Sequence, residues 1–195
     1  MLTSTSPRRE SPGRRRPPVR SFPNPEEVYR LLSVALAPPT AALVSLLRGD
    51  PDLPGNGPWS TGVSDDQLLH DLQAEHTRLF VNTFPRLSAP PFAAVYLTPE
   101  HPERLLLRIE ERLGRLGLEP AGEFRERVDH LRLLLEAAGR APTPMARVEF
   151  VGEFLAPWLP VYGQRLSEAA ALPLYPGLIG AAIDLAVEDA KEFNI

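Results

Sequence analysis

Residues Glu126–Gly139, ERVDHLRLLLEAAG, decide how the rest of the chain is read. Phe124, Val128, Leu131 and Leu135 recur at helical spacing, which predicts an amphipathic helix from about Ala121 to Ala138 with those residues as its buried stripe. At 100° per residue, Glu126 and His130 stand about 40° apart and Asp129 about 60° to the other side of Glu126. Two carboxylates and an imidazole are thus expected on one turn, at the edge of the core.

The stretches on either side share this helical grammar. Asn24 caps and Pro25 opens a first helix with Val28, Leu31, Leu32 and Ala35 as its stripe, and Pro38 and Pro39 end it. Thr40 begins a second helix that runs to Gly49. Residues 50–62, DPDLPGNGPWSTG, form a loop by their Pro and Gly density. Ser64 to Phe80 opens with a Ser-x-x-Gln capping box and places Leu69, Leu72, His76 and Leu79 on one apolar face.

A proline-rich connection with Phe84, Phe92 and Tyr96 comes next. Thr98 and Pro99 then start a long helix with Leu105, Leu106, Ile109, Leu113 and Leu116 inward and Gly117 at its end. Beyond the organising helix, Thr143 and Pro144 begin another. Pro157 and Pro160 break it into a pair, and a last helix spans Pro173 to Phe193, where Gly177 and Gly180 allow close packing. No segment alternates with period two, and no Asn-Gly turn joins β-branched runs. The fold class expected is all-α, a single-domain helical bundle.

Composition narrows the function classes. With 195 residues and 43% hydrophobic content, the chain can bury one sizeable core. No cysteine is present, which excludes a disulfide framework, thiolate metal sites, a cysteine nucleophile and iron–sulfur ligation by this chain. The apolar runs fall far short of the roughly 20 residues needed to span a bilayer, so the chain reads as soluble with no membrane span.

The net charge of −4 is unevenly spread: residues 1–21 carry six Arg against one Glu, so the remaining chain is acidic. An acidic body disfavours nucleic acid and suits a basic peptide, although most acidic proteins are simply soluble. Residues 1–22, rich in Arg, Pro and Ser, read as a disordered tail preceding a domain of residues 23–195. Their two Arg-Arg pairs are followed by Pro17, Pro18, Val19 and Arg20 instead of an apolar region, so an export signal is not expected.

No Gly-x-Gly-x-x-Gly, phosphate loop, Gly-x-Ser-x-Gly or His-Glu-x-x-His motif occurs. His70 and His76, six residues apart on one helix, do not chelate together. His76 reads either as a core-edge histidine or as a binding residue. Glu126, Asp129 and His130 leave open a metal-dependent helical hydrolase, a helix-surface polar group, or a helical adaptor surface.

Four stretches in order, EHTRLFVNTF, APPFAAVYL, ERVDHLRLLLEAAG and EFLAPWLPVYGQRL, resemble the TorD/DmsD/NarJ family of chaperones that mature molybdenum-containing oxidoreductases. The resemblance covers about residues 24–193. The family's aromatic-x-x-Leu-Phe motif falls on His76, Leu79 and Phe80, with His76 in place of the aromatic. Its Glu-Pro-x-Asp-His motif falls on Glu126, Arg127, Asp129 and His130, with Arg127 in place of proline. Its Pro-Pro-aromatic-x-x-Val-Tyr segment falls on Pro90, Pro91, Phe92, Val95 and Tyr96.

The resemblance implies a cytoplasmic, TorD-like helical chaperone with no enzymatic chemistry and no cofactor or metal of its own. Its partner would be a molybdopterin oxidoreductase precursor, held by its twin-arginine signal peptide or as the apo catalytic subunit until cofactor is inserted. The export machinery would be a further partner, and the protein a monomer or a helix-swapped homodimer. His76, Leu79, Phe80, Phe92, Tyr96, Glu126, Asp129 and His130 are the implied client-binding residues. Leu79 and Phe80 would wall an apolar groove, and Glu126 and Asp129 would accept from arginines, each such contact contributing roughly 1.5 to 3 kcal/mol.

Overall fold

The computed structural model describes residues 24–81, 87–119 and 127–192. The segment read as a disordered tail lies outside these residues, as do Phe84, Phe124 and Glu126. Among the described residues there are nine α-helices and no β-strand, as the patterning predicts. They are α1 (Pro25–Ala35), α2 (Ala41–Gly49), α3 (Asp65–His76), α4 (Ala93–Leu97), α5 (Pro102–Arg115), α6 (Leu131–Arg140), α7 (Pro144–Phe154), α8 (Leu159–Ala169) and α9 (Leu174–Glu192).

Local capping chemistry explains most of the helix starts. Asn24 accepts the Glu27 N–H at 3.3 Å, Ser64 that of Gln67 at 3.2 Å, and Thr143 that of Ala146 at 3.2 Å. Pro25 and Pro144 occupy first-turn positions, where a missing N–H costs no hydrogen bond. The Pro157–Pro160 break also appears: α7 stops at Phe154, and α8 restarts at Leu159 with Pro160 in its first turn. The long helix expected from Thr98 starts instead at Pro102, because Thr98 and His101 both leave helical geometry after the short helix α4.

Helix α6 corrects the reading of the central stretch. It begins at Leu131, not near Ala121, and Asp129 and His130 lie in the turn before it, with His130 as its cap. The cause is pairing with a distant segment. The Asp129 carbonyl accepts the Ala93 N–H at 3.0 Å, the Leu131 N–H donates to the Pro91 carbonyl at 2.8 Å, and Phe92 and His130 form an isolated antiparallel bridge. These bonds hold His130 extended, so Asp129 and His130 do not lie on a helical turn as expected, and the third residue of that expectation, Glu126, lies outside the described residues.

Helices α1, α6, α7 and α9 build the centre. Leu134, Leu135 and Ala138 of α6 are fully buried. Gly139 sets the approach of α6 to α1: a Cβ there would stand 2.6 Å from Arg30 Cγ and 2.8 Å from the Glu26 carbonyl oxygen. Ser33 Oγ donates to the Arg132 carbonyl at 3.0 Å, and Arg132 Nε donates back to the Ser33 carbonyl at 3.2 Å. On α1, Tyr29, Leu32, Ser33 and Ala35 are the buried residues, while Leu31, placed in the stripe by periodicity, is 40% exposed.

A buried ionic network ties α7 to α9 and α1. Arg147 donates through Nε and Nη2 to Asp189 at 3.1–3.2 Å and through Nη1 to Glu26 at 2.6 Å, and the Tyr29 hydroxyl donates to Asp189 at 3.0 Å. Burial works against the Arg147 charge, but Asp189 and Glu26 outweigh it and raise its pKa above the ordinary arginine value. The loop ahead of α3 is clamped to the start of α9, where Gly177 meets Gly55 so closely that a Cβ would stand 2.2 Å from the Gly55 nitrogen. Gly55 itself has φ +81°, a conformation that favours glycine. Gly180, also read as a packing glycine, faces open space.

Candidate client-binding site

Helix α3 does not end cleanly. After His76 the chain widens into a π-helical turn, Thr77–Val81, a geometry found often at functional sites. The wider turn sets Leu79 into the core at 4% exposure and leaves Phe80 half-buried beside His76, their ring centroids 5.0 Å apart. Tyr175 of α9 completes the aromatic cluster, edge-on to Phe80 at 5.1 Å. His76 is 7% exposed.

Directly before it, Glu75 fixes this corner. Its Oε1 accepts the N–H groups of Ala171 and Leu172 at 2.7 and 3.2 Å, and its Oε2 takes two bonds from Arg78 at 2.7 and 2.9 Å. A carboxylate at 5% exposure with four such donors is paired and hydrogen-bonded, as buried charge requires.

A pocket of about 160 Å³ opens beside the cluster. Leu36, Pro38, His76, Phe80, Val81, Pro91, His130, Leu131, Arg132 and Tyr162 line it. Three of the eight residues nominated from sequence, His76, Phe80 and His130, therefore converge from two separate motifs. Tyr162 is fully buried, and its hydroxyl makes no hydrogen bond among the described residues. Burial raises its pKa well above the ordinary tyrosine value, and the neighbouring Tyr96 adds to the shift, so the hydroxyl stays a donor.

The other nominated residues sit around this pocket. Phe92 contacts His130 edge-on at 5.3 Å, and Tyr96 stacks on Trp158 at 5.3 Å and meets Tyr162 at 6.1 Å. Leu79 belongs to the core behind Phe80. Asp129 is fully buried: Oδ2 accepts the Ala94 N–H at 3.1 Å, and Arg127 donates to both oxygens at 3.0 and 3.1 Å. Its carboxylate thus latches the turn before α6 to α4. No group of three or more His, Asp or Glu that could hold a metal ion occurs among the described residues.

Tyr162, Arg132, Leu36 and Pro38 were not nominated from sequence. Tyr162 lies within the quoted stretch EFLAPWLPVYGQRL, so that motif carried its signal. The remaining three come from the α1–α2 junction and the first turn of α6, where ordinary helix and turn residues become lining only through packing.

Comparison with known proteins places these features. The sequence model of the nitrate reductase delta subunit family matches residues 35–162. The chain belongs to that family. Every residue lining the pocket falls within the matched span, whereas nearly all of α1 and the whole of α9 lie outside it.

Among curated relatives, the chaperone protein TorD of Shewanella loihica is 28% identical over 121 residues, covering 54% of each chain. The chain thus spans about half the length of that relative. TorD of Escherichia coli is 28% identical over 151 residues, 69% of this chain and 72% of that one. A solved structure from Archaeoglobus fulgidus, described as a redox enzyme maturation protein, shares the fold with a TM-score of 0.57 and 19% identity, over 93% of this chain and all of that one. The motif resemblance and the all-helical expectation are both borne out.

Proposed function

We propose that this member of the nitrate reductase delta subunit family is a maturation chaperone for a molybdopterin oxidoreductase. It would bind the client's signal peptide or its apo catalytic subunit until the cofactor is inserted. The single observation carrying this reading is the pocket at the α3 π-turn, where His76, Phe80, His130 and Tyr162 gather from three motif stretches inside the family match.

The size of the pocket separates ligand classes. An apolar cavity of about 150 Å³ takes a benzene-sized group, whereas pockets for cofactors and other small molecules run from about 300 Å³ upward. A pocket of about 160 Å³ therefore suits one apolar side chain of a polypeptide. Phe80, Leu131 and Val81 would cover that side chain, and the Tyr162 hydroxyl would meet a polar group of its backbone.

In this reading the chain performs no chemistry of its own and works in the cytoplasm, before export. No helix among the described residues is long and apolar enough to cross a membrane. Affinity purification of the tagged protein from its native cytosol, with mass spectrometry of what co-purifies, tests it. A molybdopterin oxidoreductase precursor should dominate. Recovery of unrelated folded proteins, or of the bait alone, would count against the proposal.

A further inference from the structure

Arg127 occupies a seat made by two other residues. Its guanidinium donates to both oxygens of Asp129 at 3.0 and 3.1 Å, and its central carbon lies 5.0 Å from the centroid of the Phe92 ring. A paired carboxylate edge with an aromatic face is the arrangement that selects a planar guanidinium over an ammonium.

The seat and its occupant are held very differently. Asp129 is completely buried and fixed by the Ala94 N–H, its carbonyl is fixed by the Ala93 N–H, and Phe92 is braced by the His130 ring at 5.3 Å. The Arg127 side chain is 49% exposed. The tertiary fold therefore builds the seat, while its occupant comes from a half-solvated side chain in the loop before α6.

We propose that Asp129 and Phe92 form a guanidinium-binding site that Arg127 fills in the free protein and that an arginine side chain of a bound polypeptide takes over. His130 touches both regions, since it lines the pocket and packs on Phe92. A polypeptide anchored in the pocket would present a neighbouring arginine at high effective concentration, on the order of millimolar for a short tether, which is what displacing an intramolecular competitor requires. Arg127 would then set a threshold: an arginine without a pocket anchor competes poorly, and an anchored one exchanges. The source of the arginine rests on the chaperone reading, but the site itself can be tested without any client.

The test uses the full chain, wild type and Arg127→Ala, with methylguanidinium chloride at millimolar concentration as probe and methylammonium chloride and sodium chloride as controls. Emptying the seat leaves the Asp129 charge uncompensated, so Arg127→Ala should unfold at lower temperature than wild type. Methylguanidinium should raise its midpoint by roughly 2 °C more than either control salt does, with no such difference in wild type.

Equal responses to the three salts, or equal responses of variant and wild type, would overturn the proposal. If Arg127→Ala does not fold alone, refolding in methylguanidinium reads the same seat: recovered helix content supports it, and none overturns it. Failure here would leave the chaperone reading standing. Failure to capture a precursor would leave the guanidinium site standing.

Discussion

Glu75 of α3 accepts the backbone N–H of Ala171, 96 residues further on, at 2.7 Å. The bond joins the helix that carries His76 to the connection between α8 and α9. It therefore ties the helix that brings His76 to the pocket to the connection between the helices that carry Tyr162 and Tyr175.

Replacing Glu75 with Ala should destabilise the protein by about 3 kcal/mol, because two backbone N–H groups and Arg78 lose a charged partner in a largely buried setting. Urea denaturation followed by circular dichroism measures this. A loss below about 0.5 kcal/mol, the range of ordinary surface substitutions, would show that the corner is not held this way.

Two glycines in helices should respond in opposite directions to alanine. Gly152 of α7 has nothing within 4 Å of a new Cβ, so Gly152→Ala should stabilise by up to about 1 kcal/mol through helix propensity. At Gly139 the same gain meets the Glu26 carbonyl at 2.8 Å and the Arg30 nitrogen at 3.0 Å, backbone atoms that yield only if α1 shifts. Overpacking costs about 1–3 kcal/mol, so Gly139→Ala should come out destabilised. Matching thermal midpoints for the two variants would contradict the close approach of α1 and α6.

All four tyrosines should ionise with unfolding instead of independently. Burial raises the pKa of Tyr29, Tyr162, Tyr175 and Tyr96. Asp189 adds to the shift at Tyr29, Tyr96 at Tyr162 and Glu75 at Tyr175, while Arg165 opposes it at Tyr96. A folded-state pKa above the unfolded value means that this stability is complete below the unfolded value of about 10 and is lost as pH rises beyond it. Tyrosinate absorbance and helical ellipticity should change together above pH ~10. Full tyrosinate signal near pH 10 with helix intact would refute the burial of these rings.

How far the sequence can be read follows from where each element gets its information. The starts of α1, α3 and α7 are local, set by Asn24, Ser64 and Thr143 and the residues just after them, and were readable as such. The start of α6 depends on Pro91, Ala93 and Ala94, some 35–40 residues earlier, and periodicity carries no trace of that pairing. The π-turn after His76 and the burial of Glu75, Arg147 and Asp189 have the same character, since only the tertiary partner distinguishes them from surface charges.

The site was legible in part for the same reason. Motif order pointed to His76, Phe80 and His130, which do converge, whereas the contacts that hold the Asp129 carboxylate, from Arg127 and the Ala94 N–H, come from packing that no motif spacing encodes.

The central claim is that the pocket at the π-turn holds a client polypeptide, and site-specific photo-cross-linking in the native cell tests it most directly. A photo-reactive phenylalanine analogue in place of Phe80 should cross-link chiefly to the precursor of a molybdopterin oxidoreductase. The same analogue at the exposed Val187 of α9 should not. Cross-links from position 80 that match those from position 187, or that capture only mature, cofactor-loaded enzyme, would contradict the account.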